Sequence, residues 1–224
     1  MSEAPVLGVD WYKAGWVAVV LGRRDTPEVT VGADLATLIA GVDGAACVGV
    51  DMPIGLPETM RDADRLARER VGPRRSSVFM TPPRAVLEAP PYAEANDIAK
   101  RLLDGRKISQ QAWALRHNIK AVAAVAERDE RVIEVHPEVS FAAMRGEPLA
   151  FPKTTWNGQA IRRAALVAQG IALPDELDET AGGIPVADVL DAAAAAWSAL
   201  RYARDQARSL PDSWERGTPG AIWY

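Results

Sequence analysis

The stretch VGVDMPIGLP (residues 48–57) runs an apolar segment straight into Asp51, and GVDW (residues 8–11) does the same at Asp10. An ionised carboxylate at the end of a buried strand is costly unless hydrogen bonds or a cation meet it. Two strands that end this way predict one sheet edge where acid collects. Residues 46–51 form the unbroken apolar run of a strand covered on both faces. Upstream, residues 6–9 and 15–21 are rich in β-branched and aromatic residues, and the five residues between them suit a hairpin, so the first two strands are expected to be antiparallel neighbours. Residues 29–31 add a third strand. Asp34 then caps a helix with apolar residues at helical spacing. A mixed α/β sheet follows, with the single cysteine, Cys47, as a core residue of its fourth strand.

Further along, the chain changes character and returns. About residues 58–130 are rich in charge, proline and arginine, with helical patterns at 62–71 and 110–126, and read as a largely helical insertion between the fourth and fifth strands. The tandem prolines Pro82-Pro83 and Pro90-Pro91 are expected to bracket a loop there. RVIEVH (131–136) is the fifth strand, stopped by Pro137, which cannot donate to a sheet ladder. Helices are expected at 157–169 and 186–205, with Pro185 and Pro211 as boundary signals. The run of small residues at 192–196 lets the second helix lie close to the sheet. Residues 1–224 read as a single domain without internal repeats.

The carboxylates carry the chemistry. Asp10, Asp51 and Glu134 fall in or just after the first, fourth and fifth strands, which as neighbours bring them to one edge. In ADVLDAAAAAW (187–197) a spacing of three puts Asp188 and Asp191 on one helical face. Read singly, Asp10 and Asp51 are also ordinary turn residues, and Asp188 and Asp191 ordinary residues of a helix N-terminus. Read together, four such acids form an anionic cluster that needs protons or hard cations, and oxygen ligands select Mg²⁺ or Mn²⁺. In IEVHPEVSF (133–141) the strand period of two places Glu134 and His136 on one face, which admits a ligand or proton-transfer role as well as a histidine bonded within the core. Glu138 falls in the first turn of a helix reaching residue 143.

A net charge of −4 excludes a protein that coats nucleic acid through a broadly basic surface, so any such contact must be local. Arg61, Arg65 and Arg68 recur at helical spacing, with Arg70, Arg74, Arg75 and Arg84 following. Arginines of this kind suit phosphate. The interleaved Glu58, Asp62, Asp64 and Glu69 equally suit a solvated, ion-paired helix. In RRSSVFMTPPR (74–84), Ser76 and Ser77 sit in a loop whose hydroxyls and N–H groups are placed to face a phosphate, and no spacing ties either serine to a histidine. Lys153 offers a cation, and Trp11 or Tyr12 a stacking surface. Neither a signal-like start nor an apolar run of the ~20 residues a membrane span requires is present, so a soluble cytoplasmic protein is expected. A phosphate loop of the GxxxxGK[ST] kind is missing too.

Together GVDWYKAGWVAV, VGVDMPIGLP, RRSSVFMTPPRAVL, IEVHPEVSF, FPKTTWNGQAIRR and DVLDAAAAAW resemble, in order along nearly the whole chain, the DUF429 family, described as predicted nucleases with an RNase H-like fold. The resemblance implies a mixed five-stranded sheet, its first three strands antiparallel, flanked by helices. It implies that Asp10, Asp51, Asp188 and Asp191 hold two Mg²⁺ or Mn²⁺ ions for phosphodiester hydrolysis in DNA or RNA, with Glu134 and Lys153 also in the catalytic group. Arg74, Arg75 and Arg84, with Ser76 and Ser77, would position the strand by its phosphates, and action on a branched substrate would require a homodimer. Because fold does not fix function, a non-catalytic RNase H-like binding or regulatory scaffold stands as the alternative, and ATP-dependent phosphotransfer ranks behind it.

Overall fold

A computed structural model describes residues 4–13, 15–89, 91–212 and 220–224; residues 1–3, Ala14 of the expected hairpin connection and Pro90 lie outside it. Strand β1 (Val6–Tyr12) pairs antiparallel with β2 (Gly15–Leu21), in register from Val6 opposite Leu21 to Tyr12 opposite Gly15. β3 (Glu28–Gly32) continues the meander. Helix α1 (Leu35–Ala40) starts at Asp34, whose carboxylate accepts the Thr37 N–H. β4 (Cys47–Val50) then lies parallel to β1 on its other side.

Among the described residues, six helical segments lie between β4 and the fifth strand: α2 (Asp62–Arg70), a 3₁₀ turn (Gly72–Ser77), α3 (Arg84–Glu88), α4 (Tyr92–Leu102), α5 (Gln110–Ala114) and α6 (Arg116–Ala126). β5 (Val132–Glu134) joins parallel to β4. The sheet order is β3-β2-β1-β4-β5, a mixed five-stranded α/β arrangement consistent with an RNase H-like fold. Two expectations need correcting. The segment between the proline pairs is helical, because Pro83 and Pro91 stand at helix N-caps, where a missing N–H costs nothing. The pattern at 110–126 is two helices, divided at Leu115.

After β5 come α7 (Pro137–Arg145), α8 (Trp156–Ala168) and α9 (Val186–Ala203), then a small antiparallel pair, β6 (Ser209–Leu210) and β7 (Ile222–Trp223), that no sequence pattern announced. The alternation of β1 sorts its side chains: Leu7 and Val9 enter the core against α1 and α6, with Leu38, Ile119 and Val122, while Val6 enters the core on the α9 side. On that side the contact is backbone to backbone. A Cβ on Gly8 would lie 1.9 Å from the Ala196 nitrogen, and one on Gly49 would lie 2.7 Å from the Ala195 carbonyl oxygen. Ala192 to Ala196 are fully buried there, so the alanine run sets how closely α9 approaches. Cys47 is buried in β4. Among the described residues, no helix is long and apolar enough to cross a membrane.

Candidate metal centre

Parallel pairing of β1 and β4 puts Asp10 and Asp51 side by side at the strands' C-terminal ends. The Asp51 N–H donates to the Val9 carbonyl at 2.9 Å, which fixes that register. Asp10 shares the α9 face with Val6 and Gly8 by the strand period, and the close seat of α9 brings Asp191 over it. Carboxylate oxygens of Asp10, Asp51 and Asp191 lie within 4.8 Å of one another. Asp10 and Asp191 are buried and Asp51 partly so. Asp10 Oδ1 accepts the Trp11 N–H at 2.7 Å. Asp191 Oδ2 is ion-paired with the Lys153 ammonium, while Asp191 Oδ1 is buried with no hydrogen-bond partner.

Burial and mutual repulsion push these acids toward their protonated forms. Burial raises Asp51 to about 7, with Glu134, Glu138 and Asp188 adding to the effect and Lys153 opposing it. Asp191 is raised to about 6, again by burial first, against the pull of Lys153. Asp10 is raised well above the ordinary carboxylate range by burial, then by Asp51 and Asp191. Lys153 is driven upward by Asp191, Asp10 and Asp51, despite its own burial. Asp188 sits in the first turn of α9, whose N-cap is Pro185. It stands outside the close trio, and its half-buried carboxyl is raised by burial.

A cleft of about 480 Å³ opens over this cluster. Its lining includes Lys153, Glu134, His136 and Glu138, together with Arg74, Ser76, Ser77 and Phe79, and His136 is hydrogen-bonded with the Ser77 backbone. Glu134 is already engaged: its Oε1 and Oε2 each accept an Arg61 N–H at 2.7 Å, and Oε2 also accepts the Ile54 N–H at 2.7 Å. Arg61 in turn donates to Asp64 at 2.5 Å, and Asp64 accepts the Thr81 N–H at 2.7 Å. This buried network ties the loop after β4, helix α2 and β5 together.

Glu138 has a similar anchor. Its Oε1 accepts from Arg162 at 2.5 Å, and Arg162, with no exposed surface, also donates to the Gly158 carbonyl at 2.8 Å and the Phe151 carbonyl at 3.2 Å. Glu138 Oε2 and His136 Nδ1 are buried without hydrogen-bond partners. Burial depresses the His136 pKa and keeps the imidazole neutral.

Most arginines of the expected phosphate patch have other work. Arg61 is buried in the network above, Arg65 pairs with Asp62 and Glu69, and Arg68 donates to the Val78 carbonyl at 2.6 Å. The Arg70 guanidinium lies 4.2 Å above the Tyr224 ring. Arg84 faces Glu58 at 3.9 Å and lines a separate depression of about 790 Å³ beside β5, away from the three aspartates. Arg75 is exposed and outside the cleft wall, whereas Arg74, Ser76 and Ser77 reach it, with Ser77 Oγ donating to the Arg74 carbonyl at 2.7 Å.

Sequence reasoning passed over the Arg61–Asp64–Thr81 and Arg162–Glu138 anchors, whose partners are distant in the chain; an acid three residues after Arg61 was the one local signal.

A family model described as a protein of unknown function (DUF429) matches residues 8–216. Neither the curated proteins nor the solved structures contain a match to the chain.

Proposed function

Because the chain belongs to the DUF429 family, and the family model that matches it is described only as a protein of unknown function, its chemistry has to be read from its own residues, and we propose a metal-dependent nuclease that hydrolyses phosphodiester bonds in DNA or RNA. One observation carries this reading: three carboxylates from β1, the end of β4 and α9 place oxygens within 4.8 Å of one another. The donor set is all oxygen, and Asp191 Oδ1 is a buried acceptor in need of a partner, which suits Mg²⁺ or Mn²⁺. Asp10, Asp51 and Asp191 would hold the ion, with Asp188 at the margin. Divalent metal in such a site supplies Lewis acidity and lowers the pKa of water enough to make a nucleophile near neutral pH.

The remaining roles belong to the chain itself. Lys153 holds Asp191 in place and keeps a positive charge beside the cluster, where a phosphate must approach carboxylates that would otherwise repel it. Arg74 and the Ser76 hydroxyl offer donors to phosphate oxygens in the same cleft, while the Ser77 hydroxyl stays with the Arg74 carbonyl. Neutral His136, with Nδ1 unpaired, is able to accept a proton in the same cleft. Glu134, bound by Arg61, acts as a positioning residue for the loop after β4.

The same ion pair between Lys153 and Asp191 favours a second reading, a non-catalytic scaffold, since it neutralises part of the cluster without metal. Thermal melting with and without millimolar Mn²⁺ or Mg²⁺ separates the two, followed by assay of labelled DNA and RNA. A nuclease gives a wild-type melting temperature that rises with metal concentration and turnover that Asp10→Asn abolishes without unfolding the protein. An unchanged melting temperature, with no turnover on any substrate, leaves the scaffold.

A further inference from the structure

The helical insertion walls in the acid cluster, and that wall restricts what can enter. Ser76 to Phe79 from the 3₁₀ turn and its exit, with Gln111 of α5 and Leu115 between α5 and α6, line the same cleft as Asp10 and Asp51. The enclosed volume, about 480 Å³, is of the size of a site for one small molecule.

Two aromatic side chains line it, Trp11 and Phe79. Each is partly buried against the same core cluster, and each lines the cleft. A polar group that can read a base edge, the Gln111 amide, lines the same cleft.

A double helix asks for something else. It presents a phosphate charge about every 1.7 Å of its axis and is held by a series of cations. Here Arg61, Arg65, Arg68 and Arg84 are turned to carboxylates or carbonyls of the protein itself, on a chain of net charge −4.

From this combination we infer that the cleft receives one unpaired nucleotide of a single strand, with its base against Trp11 and Phe79 and its phosphate toward Asp10, Asp51 and Lys153. The substrate class is therefore single-stranded nucleic acid. This inference rests on the nuclease reading for the orientation of the phosphate, while its occupant is fixed by the walls alone.

The test uses the full chain carrying Asp10→Asn, in Mg²⁺, and a fluorescently labelled single-stranded octamer of DNA or RNA, measured by anisotropy against the same sequence annealed to its complement. The single strand should bind at least about tenfold more tightly than the duplex. Phe79→Leu, which keeps the apolar packing and removes the aromatic face, should weaken single-strand binding by about tenfold, in the range set by loss of one base–aromatic stack. Phe79→Ala should do the same or more if it remains folded by circular dichroism.

Equal or tighter duplex binding, no binding of either form, or an unchanged affinity in Phe79→Leu would each overturn the inference. Wild-type cleavage in Mn²⁺ keeps the two readings apart. Selective binding without cleavage of any substrate sinks the nuclease reading and leaves the occupant standing. Efficient cleavage of blunt duplex does the reverse.

Discussion

Asp191 has one oxygen held by Lys153 and the other bare, and beside it Asp51 titrates near 7, so the resting charge of the cluster depends on pH. A carboxyl whose folded pKa exceeds its unfolded value binds more protons when folded, so stability falls as pH rises across the interval between the two values. For Asp51 and Asp191 that interval runs from 3.8 to about 7 and about 6. Melting of the protein in chelator should therefore shift downward between pH 5 and 8. Added Mg²⁺ should offset the loss, most strongly at pH 8, where the ligands are deprotonated. Asp51→Asn should melt higher than wild type in chelator at pH 8, by roughly 2–4 °C for each kcal/mol of repulsion relieved, and should no longer respond to metal. Arg162 makes a second residue-level case. Arg162→Ala leaves Glu138 charged and buried, and should destabilise by about 3–5 kcal/mol in chemical denaturation, whereas Arg162→Met with Glu138→Leu should recover most of that loss. The sequence pointed to Asp10, Asp51, Asp188 and Asp191 because an acid closing an apolar run and a helical spacing of three are local patterns; the structure brings the first two and Asp191 together. The engagement of Glu134 by Arg61 was not legible, because Arg61 is 73 residues away and nothing local encodes such a pairing.

Helix α9 matters through its contact with β1 and β4, since the acid it carries reaches the strand ends only if the helix backbone rests on the sheet. Gly8→Ala puts a methyl group 1.9 Å from the Ala196 nitrogen, closer than any contact tolerates. It should cost at least about 3 kcal/mol, above the usual range for overpacking, and in whatever folded fraction remains the metal-induced rise in melting temperature should vanish as Asp191 is displaced. Calorimetry with and without Mn²⁺ checks both. The alanine run predicted close packing and the structure has it, because small side chains are a direct statement about interaxial distance. Helices α3 and α4 were hidden because proline was read as a breaker when it stood at the helix start. The strands β6 and β7, of two residues each, are too short to show a period.

At the scale of the whole molecule, the acidic balance and the inward-turned arginines set how binding responds to salt. If one or two phosphates are neutralised, the logarithm of the association constant for a single strand should fall with slope of only about −0.7 to −1.4 against the logarithm of salt concentration. A titration of octamer binding from low to moderate KCl measures it, and a slope several times steeper would mean a phosphate track beyond the cleft. The five-stranded architecture was legible because each strand carries its own period and apolar run, whereas the enclosure of the site was not, since it depends on how the insertion folds back over the strand ends. The seating of α9 on Gly8 has a consequence in time as well as in space. β1, which contributes Asp10, leaves the ribosome before α9, which contributes Asp191, so no nascent chain can assemble the cluster until α9 is out. The hairpin of β1 and β2 can pair long before that through local contacts, while docking of the helix is a long-range closure of the slow kind. The ordering makes the cluster a late product of folding: a chain that has not yet made α9 holds Asp10 and Asp51 without Asp191.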